Sequence, residues 1–190
     1  MYQTVLSDAK LYGDLAKLDE DLAAEARQRG CECGGKLHSA RYPRKARGLP
    51  KEMEEDYSRR HSFCCAEEGC RRRTTPASFR FLGRRVYVSV VVTLLTALRH
   101  GATAERVAKL REAVGVSRRT LERWREWWVD DFTRTSFWRS AMGRLAQPLD
   151  IETLPLSLLE CFQKPTPQAK MVDLLRCILP LTTFSKIRER

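Results

Sequence analysis

Histidine is scarce in this chain, with three in 190 residues, and that scarcity bounds the chemistry. Catalytic zinc keeps a water position and leans on histidine and carboxylate ligands, so a hydrolytic metal centre has little to work with. Long apolar runs are missing too. The best stretch, Val86 to Leu98, is too short to span a bilayer and is flanked by Arg84, Arg85, Arg99 and His100. Near the start, Asp8, Asp14 and Asp19 break any apolar run, so no secretory signal peptide is expected. Seven cysteines are an odd count that suits a closed disulfide framework poorly.

What the chain does have is two cysteine clusters about thirty residues apart: Cys31-Glu-Cys33-Gly-Gly, then Cys64-Cys65-Ala-Glu-Glu-Gly-Cys70-Arg-Arg-Arg. Short cysteine pairs separated by a longer loop bring four thiolates around one tetrahedral ion. Gly34 and Gly35 suit a tight metal-binding turn with positive φ, whose backbone N–H groups face sulfur. Phe63 and Cys65 share a face if the segment is a strand, and Cys64 then points away. The expected zinc ligands are therefore Cys31, Cys33, Cys65 and Cys70. The first pair has one intervening residue where two are commoner, and the second has four. Cys64, His38 or His61 stays open as a substitute ligand. Buried free thiols and disulfides are the readings without metal.

The composition, 43% hydrophobic and 31% charged, supports a modest core and a folded chain. The net charge of +11 favours a polyanionic partner. Residues 1–30 carry four basic and six acidic side chains, whereas residues 31–100 carry fifteen and seven. Positive charge therefore gathers around the expected metal site. A four-thiolate zinc centre has a charge of about −2, which Arg71, Arg72 and Arg73 partly offset. The excess beyond that points to phosphate contacts.

Four segments follow from the pattern. Residues 1–30 form an amphipathic helix on Leu11, Leu15, Leu18 and Leu22, ended by Gly30. Residues 31–82 hold most turn formers, including Pro43, Gly48, Pro50, Gly69 and Pro76, and suit a small β-ribbon folded on zinc. They contain a basic loop, Tyr42 to Gly48, and an acidic stretch, Glu52 to Asp56. Residues 83–131 form a trihelical helix-turn-helix unit. Residues 132–190 form short helices between prolines, with a helix starting at Thr166-Pro167 and a basic end at Lys186 to Arg190. Cys161 and Cys177 are expected to be ordinary buried thiols. The fold class is mainly α with a small zinc-stabilised β-ribbon.

Within the third segment, Val86–Leu98 is the first helix, Thr103 caps Ala104–Ala113, and Ser117 caps a helix running to about Asp131. Gly115 is the turn glycine. Leu110, Val114, Val116, Leu121 and Trp124 then occupy the apolar crossing positions. Arg111 departs from the small residue usual at such a crossing and suggests either a slightly wider crossing or a snorkelling arginine stem. The exposed set is Ser117, Arg118, Arg119, Thr120, Glu122, Arg123 and Glu126. Arginines early in a second helix can reach guanine O6 and N7 in a major groove. Glu122 either accepts from cytosine N4 or pairs with a neighbouring arginine. Trp127, Trp128 and Trp138 read as core by their helical spacing.

Cys-x-Cys-Gly-Gly, then Cys-x4-Cys-Arg-Arg-Arg-Thr-Thr-Pro-x-Ser, then Ser-Arg-Arg-Thr-Leu-x-Arg-Trp resembles the N-terminal DNA-binding part of bacterial insertion-sequence transposases. The resemblance covers roughly residues 31–130 and rests on Cys31, Cys33, Cys65, Cys70, Arg71 to Pro76, Ser78 and Ser117 to Trp124. It implies a zinc ribbon placed before a helix-turn-helix, and a prokaryotic cytoplasm. Small transposon-associated proteins with the same two modules look similar. The catalytic domain of such transposases is missing. Three carboxylates on an RNase H-like sheet need well over about a hundred residues. Asp130, Asp131, Asp150, Glu152, Glu160 and Asp173 show no such arrangement, so no enzyme activity is expected.

The expected function is sequence-specific binding of duplex DNA with a structural zinc, as a transposon accessory factor or regulator. Arg71, Arg72, Arg73, Ser117, Arg118, Arg119, Thr120, Glu122 and Arg123 are the expected DNA-binding residues. The alternative is an adaptor whose ribbon contacts a recombinase, transposase or polymerase while the helices only pack.

Overall fold

The chain begins with two helices, α1 (Tyr2–Leu6) and α2 (Ala9–Arg29). The expected single helix breaks because the Asp8 side chain accepts from the Leu11 N–H and caps α2 afresh. Gly30 closes α2 at φ 72°, as expected. The computed structural model describes residues 2–44, 46–49, 53, 55–83, 87–101, 103–143 and 148–183. Lys45, Pro50, Glu52, Glu54, Arg84, Arg85, Val86, Leu145 and the basic end Lys186 to Arg190 lie outside the described residues.

The buried stripe of α2 differs from the expected leucine stripe. Leu11 and Leu15 are buried, but then Asp19, Ala23 and Ala26 follow, with Leu18 and Leu22 only half-buried. A carboxylate can sit at that core position because it is saturated with donors. Asp19 accepts from Ser78 Oγ at 2.5 Å, the Phe79 N–H at 2.6 Å and Arg80 Nε at 2.8 Å. Arg80 also donates to the Tyr57 and Arg59 carbonyls. Arg60, equally buried, donates to the carbonyls of Phe81, Pro76 and Thr182. The middle of the chain is thereby fastened to both ends.

Strands β1 (Leu37–Ser39), β4 (Phe63–Cys65) and β5 (Arg73–Thr74) make a three-stranded antiparallel sheet in the order β1-β4-β5. Leu37 lies opposite Cys65 and Ser39 opposite Phe63. The period-2 alternation turns Leu37, Phe63 and Cys65 to one face, where they pack with Ala23 and Ala26 of α2. Strands β2 (Tyr42–Pro43) and β3 (Arg59–Arg60) form a separate antiparallel pair.

Helix α3 (Ser89–Gly101) packs against α1, α4, α5, α7 and α8. Every residue from Ser89 to Leu98 is buried. Enclosure on all sides overrides the weak helix propensity of its valines. It starts later than expected, because Tyr87 bridges Arg47 and Val88 bridges Phe81 in extended backbone. Helices α4 (Ala104–Ala113) and α5 (Arg118–Glu126) follow, and a π-helical turn extends α5 through Asp131. Helices α6 (Ser136–Met142), α7 (Leu156–Glu160) and α8 (Pro167–Cys177) come after it. Trp127, Trp128, Phe132 and Trp138 are buried together, as their spacing indicated. Cys161 and Cys177 are half-buried rather than buried. Cys177 lines an apolar cavity of about 390 Å³ with Trp138 and Pro180. Among the described residues, no helix is long and apolar enough to cross a membrane.

Candidate metal centre and basic helix

Four turns and strand ends deliver the sulfurs. Cys31 follows the closing glycine of α2, and Cys33 lies in the next turn, held by hydrogen bonds from the Gly34 N–H to Cys31 O and the Cys31 N–H to Gly35 O. Cys65 ends β4, and Cys70 sits in the turn that leads to β5. The four Sγ atoms all lie within 4.8 Å of one another. Cys31 and Cys70 approach to 3.7 Å, and Cys33 and Cys65 to 3.5 Å. Tetrahedral thiolate coordination with metal–sulfur bonds of about 2.3 Å has sulfur–sulfur edges of about 3.8 Å. The residues present fit a metal ion.

Two further observations support that fit. A Cβ built on Gly35 would stand 2.5 Å from Glu67 Cγ, 2.7 Å from Cys65 Sγ and 3.3 Å from Cys33 Sγ, so a side chain there would press on two of the sulfurs. Gly34, not Gly35, carries the positive φ of the turn, 83°. In addition, the N–H two residues beyond a cysteine faces its sulfur three times: Gly35 at Cys33, Glu67 at Cys65 and Arg72 at Cys70. Such donors stabilise thiolate and orient it.

The thiols strain against one another in charge. The Gly35 N–H, helped by neighbouring thiols, brings Cys33 down to about 7. Burial pushes Cys65 up to about 12. The Arg72 N–H holds Cys70 down, but the Cys33 and Cys31 thiols carry it up overall. A dication held there would supply the charge that favours all four thiolates together.

Cys64 is outside the cluster. Its Sγ donates to the Arg71 carbonyl at 3.6 Å on the opposite face of β4. His38 is exposed opposite Cys64. His61 is buried, and its pKa is lowered by desolvation and by Arg41. Neither histidine belongs to the sulfur cluster.

The arginines beside the cysteines are exposed, but not alike. Arg72 forms an ion pair with Glu32, a partner that lies 40 residues away and leaves no local trace in the sequence. Arg71 has φ 46°, left-handed for a residue with a Cβ. It and Arg73 have no ion-pair partner among the described residues.

Thr103 and Ser117 cap α4 and α5 as expected, through Arg106 N and Thr120 N. Gly115 takes φ 66° in the turn. Leu110, Val116, Leu121 and Trp124 are buried, while Val114 and Arg111 are half-buried. Both helices pack on α3. On the outer face, Arg118 and Arg119 are exposed, and Arg118 pairs with Glu122 at 2.9 Å. Arg123 donates to Thr120 Oγ1 at 3.2 Å. Ser117 Oγ is engaged as the cap. Arg119 has no ion-pair partner among the described residues.

No family model, curated protein or solved structure matches this chain.

Proposed function

We propose that this chain is a sequence-specific duplex DNA-binding protein that folds around a structural zinc, and that it serves a mobile element as an accessory factor or regulator. The observation that carries the reading is the face of α5. A left-handed glycine turn precedes it, its apolar side is anchored on α3, and Arg118, Arg119 and Arg123 lie on its exposed side. That is the disposition a helix-turn-helix needs to bring arginine forks to base edges. Intrahelical partners do not disqualify them. The Arg118–Glu122 pair is solvent-exposed, worth at most about 1 kcal/mol, and easily exchanged for a guanine.

Zinc is the assigned metal because four thiolates close a tetrahedron without an open position. Such a site is structural, so no catalytic step follows from it. Arg71 and Arg73 supply phosphate contacts that raise affinity for any sequence. The test combines elemental analysis of the purified protein with selection of bound duplex from a random pool. The expected result is about one zinc per chain and an enriched sequence bound in a salt-sensitive way. A pool without enrichment and a flat salt dependence would instead favour an adaptor that contacts a transposase, recombinase or polymerase.

A further inference from the structure

The basic loop that follows β2 is joined to the turn ahead of α5 through one tyrosine. Arg47 pairs with Tyr87 in a parallel bridge, and the Val88 N–H donates to Arg47 O at 3.2 Å. The loop lies flat on α3 at the next residue: a Cβ on Gly48 would meet Val91 Cγ2 at 2.7 Å. Gly48 also takes φ 82°. Tyr87 then reaches the other way. Its hydroxyl donates to Gly115 O at 2.7 Å, and its ring packs edge-on against Trp124 of α5 at 5.1 Å. The Arg47 guanidinium lies over that same ring, 6.0 Å from its centre. The guanidinium and the α4–α5 turn are thus linked through the single side chain of Tyr87.

The two described arginines of this loop are used differently. Arg44 is committed: it donates to Gly83 O at 2.5 Å and lies near the Tyr42 and Phe81 rings. Arg47 has no carboxylate partner among the described residues. Contact with an aromatic face holds its side chain while leaving the planar N–H fork for an anion. A cation held by an aromatic face, with no countercharge among the described residues and beside the turn of a base-reading helix, has the chemistry of a phosphate clamp.

We propose that Arg47 contacts a backbone phosphate of the duplex whose bases α5 faces. Arg47 and the start of α5 then engage one stretch of DNA, with Tyr87 as the strut between them. This rests on the DNA-binding reading above and adds a contact that neither the cysteine-flanking arginines nor α5 supplies.

The test uses the full-length, zinc-loaded protein and the duplex enriched from the random pool, titrated between about 50 and 200 mM salt. Arg47→Ala and Arg47→Gln should each lower the slope of log affinity against log salt by about 0.9 and leave base preference unchanged. Arg47→Lys should restore the slope. Arg139→Ala, which removes an exposed charge on α6, should leave it intact. An unchanged slope in both Arg47→Ala and Arg47→Gln overturns the clamp, as does an equal loss in Arg139→Ala, which would mean only net charge matters. If the unaltered protein binds no duplex, the DNA-binding reading itself fails and the clamp falls with it. Binding that is insensitive to Arg47 removes the clamp alone.

Discussion

Asp19 and Arg80 meet at 2.8 Å with their side chains 2% and 4% exposed. The pair joins α2 to the segment that follows β5. Breaking a buried pair by removing one charge costs about 3–5 kcal/mol, since the other is left uncompensated. Asp19→Asn should therefore lower unfolding free energy by roughly that amount in denaturant titration. Zinc content should not change, because the cysteines are held by separate turns. A loss below about 1 kcal/mol would mean that the Tyr57 and Arg59 carbonyls alone satisfy Arg80.

Cysteine substitutions should sort by sulfur position. Serine at Cys31 or Cys70 should release the metal and unfold the ribbon around β1, β4 and β5, because binding energy there is folding energy. Serine at Cys64, Cys161 or Cys177 should leave metal content as it was. Gly35→Ala should also weaken metal retention, since its Cβ would press on Cys65 Sγ. Elemental analysis after dialysis reads all of these. Loss of metal in Cys64→Ser but not in Cys65→Ser would overturn the ligand assignment.

Burial lowers the pKa of His61, with Arg41 and Arg80 acting in the same direction and Asp19 and Glu20 opposing. The folded state therefore refuses a proton that the unfolded chain accepts below about pH 6.5. Stability should be full above that pH and fall as the pH drops toward the lowered folded value. The slope is at most about 1.4 kcal/mol per pH unit for one proton. His100 is shifted the same way and adds to the trend. His61→Gln should flatten the slope. Zinc should be assayed in the same samples, because thiolate protonation also releases metal in acid. An unchanged slope in His61→Gln would contradict the assignment.

Local chemistry was legible in the sequence where a residue acts on its near neighbours. Thr103, Ser117 and Thr166 cap the helices they precede, because an N-cap is decided within three residues. The sulfur cluster was legible for the same kind of reason: strand alternation separates Cys64 from Cys65. Long-range satisfaction was not. Asp19 looks like one more solvated charge until Ser78, Phe79 and Arg80 arrive from sixty residues away. Its spacing of four from Leu15 and from Ala23 was the one available signal. Tyr87 belonged on paper with the valine-rich helix, and pairing with Arg47 holds it in extended backbone. That preference comes from a partner, not from propensity.

The face of α5 decides the account. Affinity and base preference should be measured for Arg118→Ala, Arg119→Ala, Leu121→Ala and Trp124→Ala against the duplex enriched from a random pool. Leu121 and Trp124 are buried, so their truncation should lower stability by roughly 2–5 kcal/mol. Arg118 and Arg119 are exposed, so their loss should spare stability. It should cost about 1–3 kcal/mol of binding and relax preference at one position of the site. Affinity and preference both untouched in the two arginine variants would contradict the account and leave α5 a packing helix with a solvated charged face.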